Sequence, residues 1–204
     1  MKGQTGLKLN KFILGVTGNS GSGKTTVCKI LQGMDFHAID CDVLAHTVML
    51  PGQQAYNKIV ETFGLDILAN SGEIDRKKMG TVIFSDVNKR STLESIVHPA
   101  VIEMALHEAA ATDCNHIAID AVLLVESGLH HHCDAVWLVT ASEDQRLSRI
   151  IARDGLSQEA AQARMRNQRD TSHIETIAQA VIVNYGDLES LQKQVKSALQ
   201  KRGE

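Results

Sequence analysis

One segment restricts the fold of this chain more than any other. An apolar run, Phe12-Ile13-Leu14-Gly15-Val16-Thr17, passes directly into Gly18-Asn19-Ser20-Gly21-Ser22-Gly23-Lys24-Thr25 and then into the periodic apolar positions of a helix. The spacing fits G-x-x-x-x-G-K-[ST], in the strand, loop and helix setting that this motif requires. Glycines in such a loop let the backbone N–H groups turn inward around a β-phosphate, and the helix N-terminus adds its positive end. A lysine at the position of Lys24 reaches the β/γ oxygens, and a hydroxyl at the position of Thr25 ligates Mg²⁺. Gly18, Asn19, Ser20, Gly21, Ser22, Gly23, Lys24, Thr25 and Thr26 therefore form the candidate nucleotide-binding set, with Thr25 as the metal ligand.

Guanine-nucleotide switches carry an Asn-Lys-x-Asp base reader and an Asp-x-x-Gly switch. Neither occurs here, and the nearest string, Asn57-Lys58-Ile59-Val60, lacks the aspartate. ATP is the expected donor.

Short β-branched runs recur at Phe12 to Thr17, Phe36 to Ile39, Ile117 to Asp120, Ala135 to Val139 and Ala180 to Val183, which predicts five strands. Helical periods fill Thr25 to Gln32, Gln53 to Phe63, Asp86 to Val97, Pro99 to Ala111, Asp144 to Arg153, Gln158 to Gln168 and Leu188 to Leu199. Pro99 is read as a helix start, where a missing N–H costs least. The alternation predicts an α/β fold with a mostly parallel sheet covered by helices on both faces. The strand-free stretch from Asp42 to about Asn115 is too long for a simple crossover and reads as a helical insertion within one domain.

With 21 Lys+Arg against 24 Asp+Glu, the chain has no overall basic field for holding nucleic acid, so an anionic ligand must be met by a local cluster. Aromatic residues are only 3%, too few for base-stacking platforms. The opening residues MKGQTGLKLNK lack the apolar centre of a signal peptide, and no apolar run approaches membrane length. Four scattered cysteines without a C-x-x-C read as reduced thiols, so a cytoplasmic protein is expected. His130-His131-His132-Cys133 lacks zinc-site spacing and reads as an exposed loop entering the fourth strand.

Ile39-Asp40-Cys41-Asp42 follows the second strand. If that strand neighbours the first, a carboxylate stands beside the phosphate loop, where an acceptor hydroxyl needs an oriented proton acceptor. Either aspartate could instead cap the helix that Val43-Leu44-Ala45-His46 begins. Geometry alone leaves the choice open.

The strings GVTGNSGSGKTT, IDCDVLAH, G-x-IDR at Gly72 to Arg76, LESIVHP ending at His98-Pro99, LLVE at Leu123 to Glu126, ARD at Ala152 to Asp154 and VIVN before Tyr185-Gly186 occur in order. Together they resemble the dephospho-coenzyme A kinases, from about Phe12 to Leu199. The resemblance implies a three-layer P-loop kinase with a helical acceptor subdomain at about 43–115 and a mobile lid at about 153–176. It implies transfer of the ATP γ-phosphoryl to the ribose 3′-hydroxyl of dephospho-coenzyme A, the last step of coenzyme A synthesis. It assigns Asp42 as the base, Arg153 to transition-state charge, and Arg76 and His98 to the acceptor side. The other arginines between 146 and 169, namely Arg146, Arg149, Arg164, Arg166 and Arg169, read as solvated helix faces. Two positions depart from the family pattern: Val122 where Pro-Leu-Leu-x-Glu usually begins, and Gln179 where Asp usually follows Ala. The rival functions are a P-loop kinase for another small acceptor, such as a nucleoside, nucleotide or shikimate-like alcohol, and a non-catalytic nucleotide-sensing module.

Overall fold

A computed structural model describes residues 10–84, 86–166, 168 and 170–201. Arg169 and the segment MKGQTGLKL lie outside the described residues. The five strands are β1 (Phe12–Thr17), β2 (Phe36–Asp40), β3 (His116–Asp120), β4 (Ala135–Thr140) and β5 (Ala180–Val183). They lie in the order β2-β3-β1-β4-β5, and the pairings of β1 with β3, β1 with β4 and β4 with β5 are parallel. β1 and β4 are buried along nearly their whole length, as expected for central strands covered on both faces.

The order corrects one expectation. β2 pairs with β3 and not with β1, so the carboxylate carried by the strand beside the phosphate loop belongs to β3. The register sets Val16, two residues before the loop, opposite Asp120.

The helices are α1 (Lys24–Gln32), α2 (Cys41–Thr47), α3 (Gln54–Phe63), α4 (Arg76–Phe84), α5 (Val87–Ala111), α6 (Glu143–Asp154), α7 (Gln158–Arg166), α8 (Ser172–Glu175) and α9 (Leu188–Gln200). Two compact units result, residues 40–109 and the remainder of the chain. In the sheet unit, Val27, Ile30 and Leu31 of α1 and Leu191 and Val195 of α9 pack with Leu14, Val16, Trp137 and Val139 in one aliphatic core. Burying each such side chain contributes about 1.5–3 kcal/mol. The second unit has its own core around Ile59, Ile67 and Met79, with Phe63, Leu93 and Val97 packed against it.

Two helical expectations change. α5 runs unbroken through Pro99, where a boundary is expected from sequence. Proline removes the donor for the Ser95 carbonyl, but Ser95 and Pro99 are both exposed, so the lost bond falls at the surface while Val101, Ala105 and Ala109 hold the buried stripe. α4 is absent from the sequence-derived helices because Gly80 and its β-branched neighbours blur the period. Its start is nonetheless encoded, since the Asp75 carboxylate accepts from the N–H groups of Lys77 (2.8 Å) and Lys78 (3.2 Å). These bonds hold the Asp75 carboxyl below its ordinary range.

Candidate active site

The phosphate loop is shaped by where its carbonyls go. For the N–H groups to face a ligand, the carbonyl oxygens must be engaged elsewhere, and from Asn19 to Gly23 every one of them is. Asn19 accepts from the Ser22 N–H (3.1 Å), and Gly23 accepts from the N–H groups of Thr26 (3.0 Å) and Val27 (3.1 Å) as α1 begins. Arg146 Nε donates to the Ser20 carbonyl (3.2 Å). Arg149 Nη1 donates to the carbonyls of Gly21 (3.1 Å) and Ser22 (3.2 Å), and Asn184 Nδ2 also donates to that of Ser22 (2.9 Å). Gly23 sits at φ 102°, left-handed backbone that a glycine adopts without strain. A Cβ there would stand 2.0 Å from Asn184 Nδ2.

Lys24 opens α1 and is buried to 8% exposure. Thr25 Oγ1 donates to Asp120 Oδ2 at 2.9 Å. Asp120 ends β3 with only 8% of its surface exposed. A hydroxyl and a carboxylate at this separation are hard oxygen donors of the kind Mg²⁺ takes while keeping several waters, so the pair fits that ion. Asp120 is missing from the sequence-derived site. Its signal is the apolar strand Ile117-Ala118-Ile119 ending in a lone carboxylate, and strand order decides that it faces the loop.

The arginines of α6 differ from expectation. Arg146 and Arg149 are half-buried and hold loop carbonyls, so they are not a solvated face. Burial pulls the Arg146 guanidinium below its ordinary range. Arg153 stays exposed, donates to Ser20 Oγ at 3.3 Å and pairs with Asp154 at 2.7 Å. Asp154 also pairs with Arg164 of α7 at 2.7 Å across the turn at Gly155, and the Arg153 hydrogen bond holds its carboxyl below the usual range. Arg164 and Arg166 are exposed.

Asp42, Arg76 and His98 belong to the second unit. Asp40 caps α2, its Oδ1 accepting from the N–H groups of Asp42 (2.9 Å) and Val43 (3.3 Å). Asp42 lies exposed in the first turn of that helix. Arg76 is exposed as the first residue of α4, and among the described residues neither Glu73 nor Asp75 pairs with it. His98 is half-buried in the middle of α5. His130, His131 and His132 lie in a single 3-10 turn, and burial pushes the thiol of the half-buried Cys133 up to about 12, leaving it neutral. Gln179 keeps a polar contact at the sheet end, its Oε1 accepting from the Val136 N–H at 2.5 Å.

A family profile described as dephospho-CoA kinase matches residues 12–190, across both units. The chain belongs to the dephospho-CoA kinase family. A dephospho-CoA kinase of Carboxydothermus hydrogenoformans is 38% identical over 192 residues, covering 93% of each chain. Among solved structures, a Thermus thermophilus protein is similar at 30% identity with a TM-score of 0.78, covering 94% of this chain and 97% of that one. The dephospho-CoA kinase of Campylobacter jejuni is similar at 26% identity with a TM-score of 0.65, covering 93% and 96%. Among the described residues, no helix of this dephospho-CoA kinase family member is long and apolar enough to cross a membrane.

Proposed function

We propose that this chain transfers the γ-phosphoryl group of ATP to the ribose 3′-hydroxyl of dephospho-coenzyme A, giving coenzyme A and ADP. The observation that carries this reading is the dephospho-CoA kinase match extending over both the phosphate-loop unit and the helical unit. The loop geometry supports the donor half. The carbonyls from Asn19 to Gly23 are engaged and do not compete for the face that phosphate oxygens approach, and donors fixed before the reaction need no reorganisation as charge develops.

Thr25 and Asp120 would hold Mg²⁺, which when bound neutralises charge on the β- and γ-oxygens. Lys24 contributes charge to the same oxygens. Asp42 is the proton acceptor for the ribose hydroxyl, because Asp40 is occupied as a helix cap while the Asp42 carboxylate is exposed. Arg153, which donates to Ser20 Oγ, grips the transferring phosphoryl group when residues 153–176 close as a lid. Arg76 and His98 serve the acceptor side, in the unit 40–109. The cytoplasm is the expected compartment.

The test is an acceptor panel. The protein, ATP and Mg²⁺ are incubated with dephospho-coenzyme A, nucleoside monophosphates or shikimate, and ADP is measured. Turnover with dephospho-coenzyme A should exceed the rest by orders of magnitude. Equal or faster turnover of a nucleoside monophosphate would replace the acceptor, and no turnover of any would favour a nucleotide sensor.

A further inference from the structure

Resting on that function, we propose that Asn184 and Arg149 are positioning residues for phosphoryl transfer, acting together from behind the phosphate loop to keep the Gly21 and Ser22 carbonyls turned away from the triphosphate.

Asn184 follows the last residue of β5 and is only 5% exposed. Three of the four hydrogen-bonding directions of its amide have partners. Nδ2 donates to the Ser22 carbonyl (2.9 Å), while Oδ1 accepts from Arg149 Nη2 (3.1 Å) and from the Gly186 N–H (3.0 Å). Arg149 uses its other terminal nitrogen on Gly21 and Ser22. The result is a closed circuit: the loop carbonyls are held by a guanidinium, and an amide on another element both orients that guanidinium and reinforces its grip. Neither a lysine nor an aspartate could reproduce it. Lysine lacks the fixed fork that reaches Asn184 and the loop together, and aspartate would face the Ser22 carbonyl with an acceptor.

Peptide groups are planar, so the orientation of each carbonyl fixes the orientation of the N–H that follows it. Holding the Ser22 carbonyl outward therefore aims the N–H of Gly23, and holding the Gly21 carbonyl fixes the Ser22 N–H that closes the loop turn on the Asn19 carbonyl. Gly23 also owes its missing side chain to this circuit, since a Cβ would collide with the Asn184 amide. The reaction site is thereby tied to two distant stretches of sequence, α6 and the β5 to α9 connection. A purely packing role would be met by an apolar residue of similar size and would not need a complementary donor and acceptor.

The experiment compares wild type with Asn184→Asp and Arg149→Lys. Thermal melting, steady-state kinetics in each substrate, and calorimetric affinity for ATP without Mg²⁺ and for dephospho-coenzyme A are measured for all three. Losing a hydrogen bond to a buried or charged partner costs about one to two orders of magnitude in an equilibrium. Both variants should weaken ATP affinity and lower kcat by about 10–100-fold, with Arg149→Lys the milder, while affinity for dephospho-coenzyme A stays within about two-fold. Unchanged ATP affinity and kcat in both variants would overturn the proposal. So would a parallel fall in both substrate affinities together with the melting temperature, which marks a general structural role. Should wild type prefer another acceptor, the functional reading fails, yet the ATP-binding comparison still decides the positioning role.

Discussion

Asp40 and Asp42 stand two residues apart, the first as the cap of α2 and the second exposed in its first turn. Asp40 is committed to two backbone N–H groups, so Asp40→Ala should destabilise the fold by about 0.5–2 kcal/mol, read by urea unfolding, with a smaller loss of rate. Asp42→Asn should instead cut turnover by about 10²–10⁴-fold with ATP affinity within a few-fold of wild type. Normal turnover in Asp42→Asn together with a dead, well-folded Asp40→Asn would reverse the assignment. Lys24→Ala should lose about 10²–10³-fold in rate, the scale seen when one fixed electrostatic donor is removed. Asp120 supplies a separate test. Asn in its place still accepts from the Thr25 hydroxyl but carries no charge, so Asp120→Asn should lower the rate about 10²-fold and raise the Mg²⁺ concentration needed for half-maximal rate. An unchanged Mg²⁺ requirement would remove Asp120 from the metal site. These residues also mark how far sequence reaches. The loop from Gly18 to Thr26 is local, so its spacing announces it. Asp120, Arg149 and Asn184 join it only after the strands are ordered, and no spacing within 204 residues encodes that order.

At the scale of elements, the five strands were legible to within a residue at each end because continuous β-branched runs bounded by polar residues have few alternatives. The helices of the second unit were less so. α4 has little apolar periodicity, and its visible mark is the Asp75 cap. α5 shows a proline where local rules place a boundary, and the packing of Leu93, Ile96 and Val97 before Pro99 together with the burial of Val101, Ala105 and Ala109 after it overrides them. That override has a measurable cost. Replacing Pro99 by alanine returns an N–H to the Ser95 carbonyl at an exposed site, so Pro99→Ala should stabilise the protein by up to about 3 kcal/mol in urea unfolding. A loss of stability would mean that the proline shapes α5 in a way the rest of the unit requires.

At the scale of the molecule, two units with separate cores are expected to respond separately to two ligands. The loop and its outer clamp lie wholly within the sheet unit, whereas Asp42, Arg76 and His98 lie in the unit built around Ile59, Ile67 and Met79. A ligand stabilises what it binds through mass action, and hydrogen exchange reads that stabilisation segment by segment. A non-hydrolysable ATP analogue alone should therefore slow exchange at residues 18–26 and at the connection after β5, which Asn184 ties to the loop. Dephospho-coenzyme A alone should slow exchange within residues 40–109. The stretch 153–176 buries Ala161 and Ile174, but its ion pairs of Asp154 with Arg153 and Arg164 are exposed, and such pairs contribute little. Its exchange should slow strongly only when both ligands are present, because closure then draws on phosphate contacts that neither ligand alone completes. Protection of 153–176 by the ATP analogue alone would make that segment part of the nucleotide site, and protection by neither combination would make it a fixed surface with no closing motion.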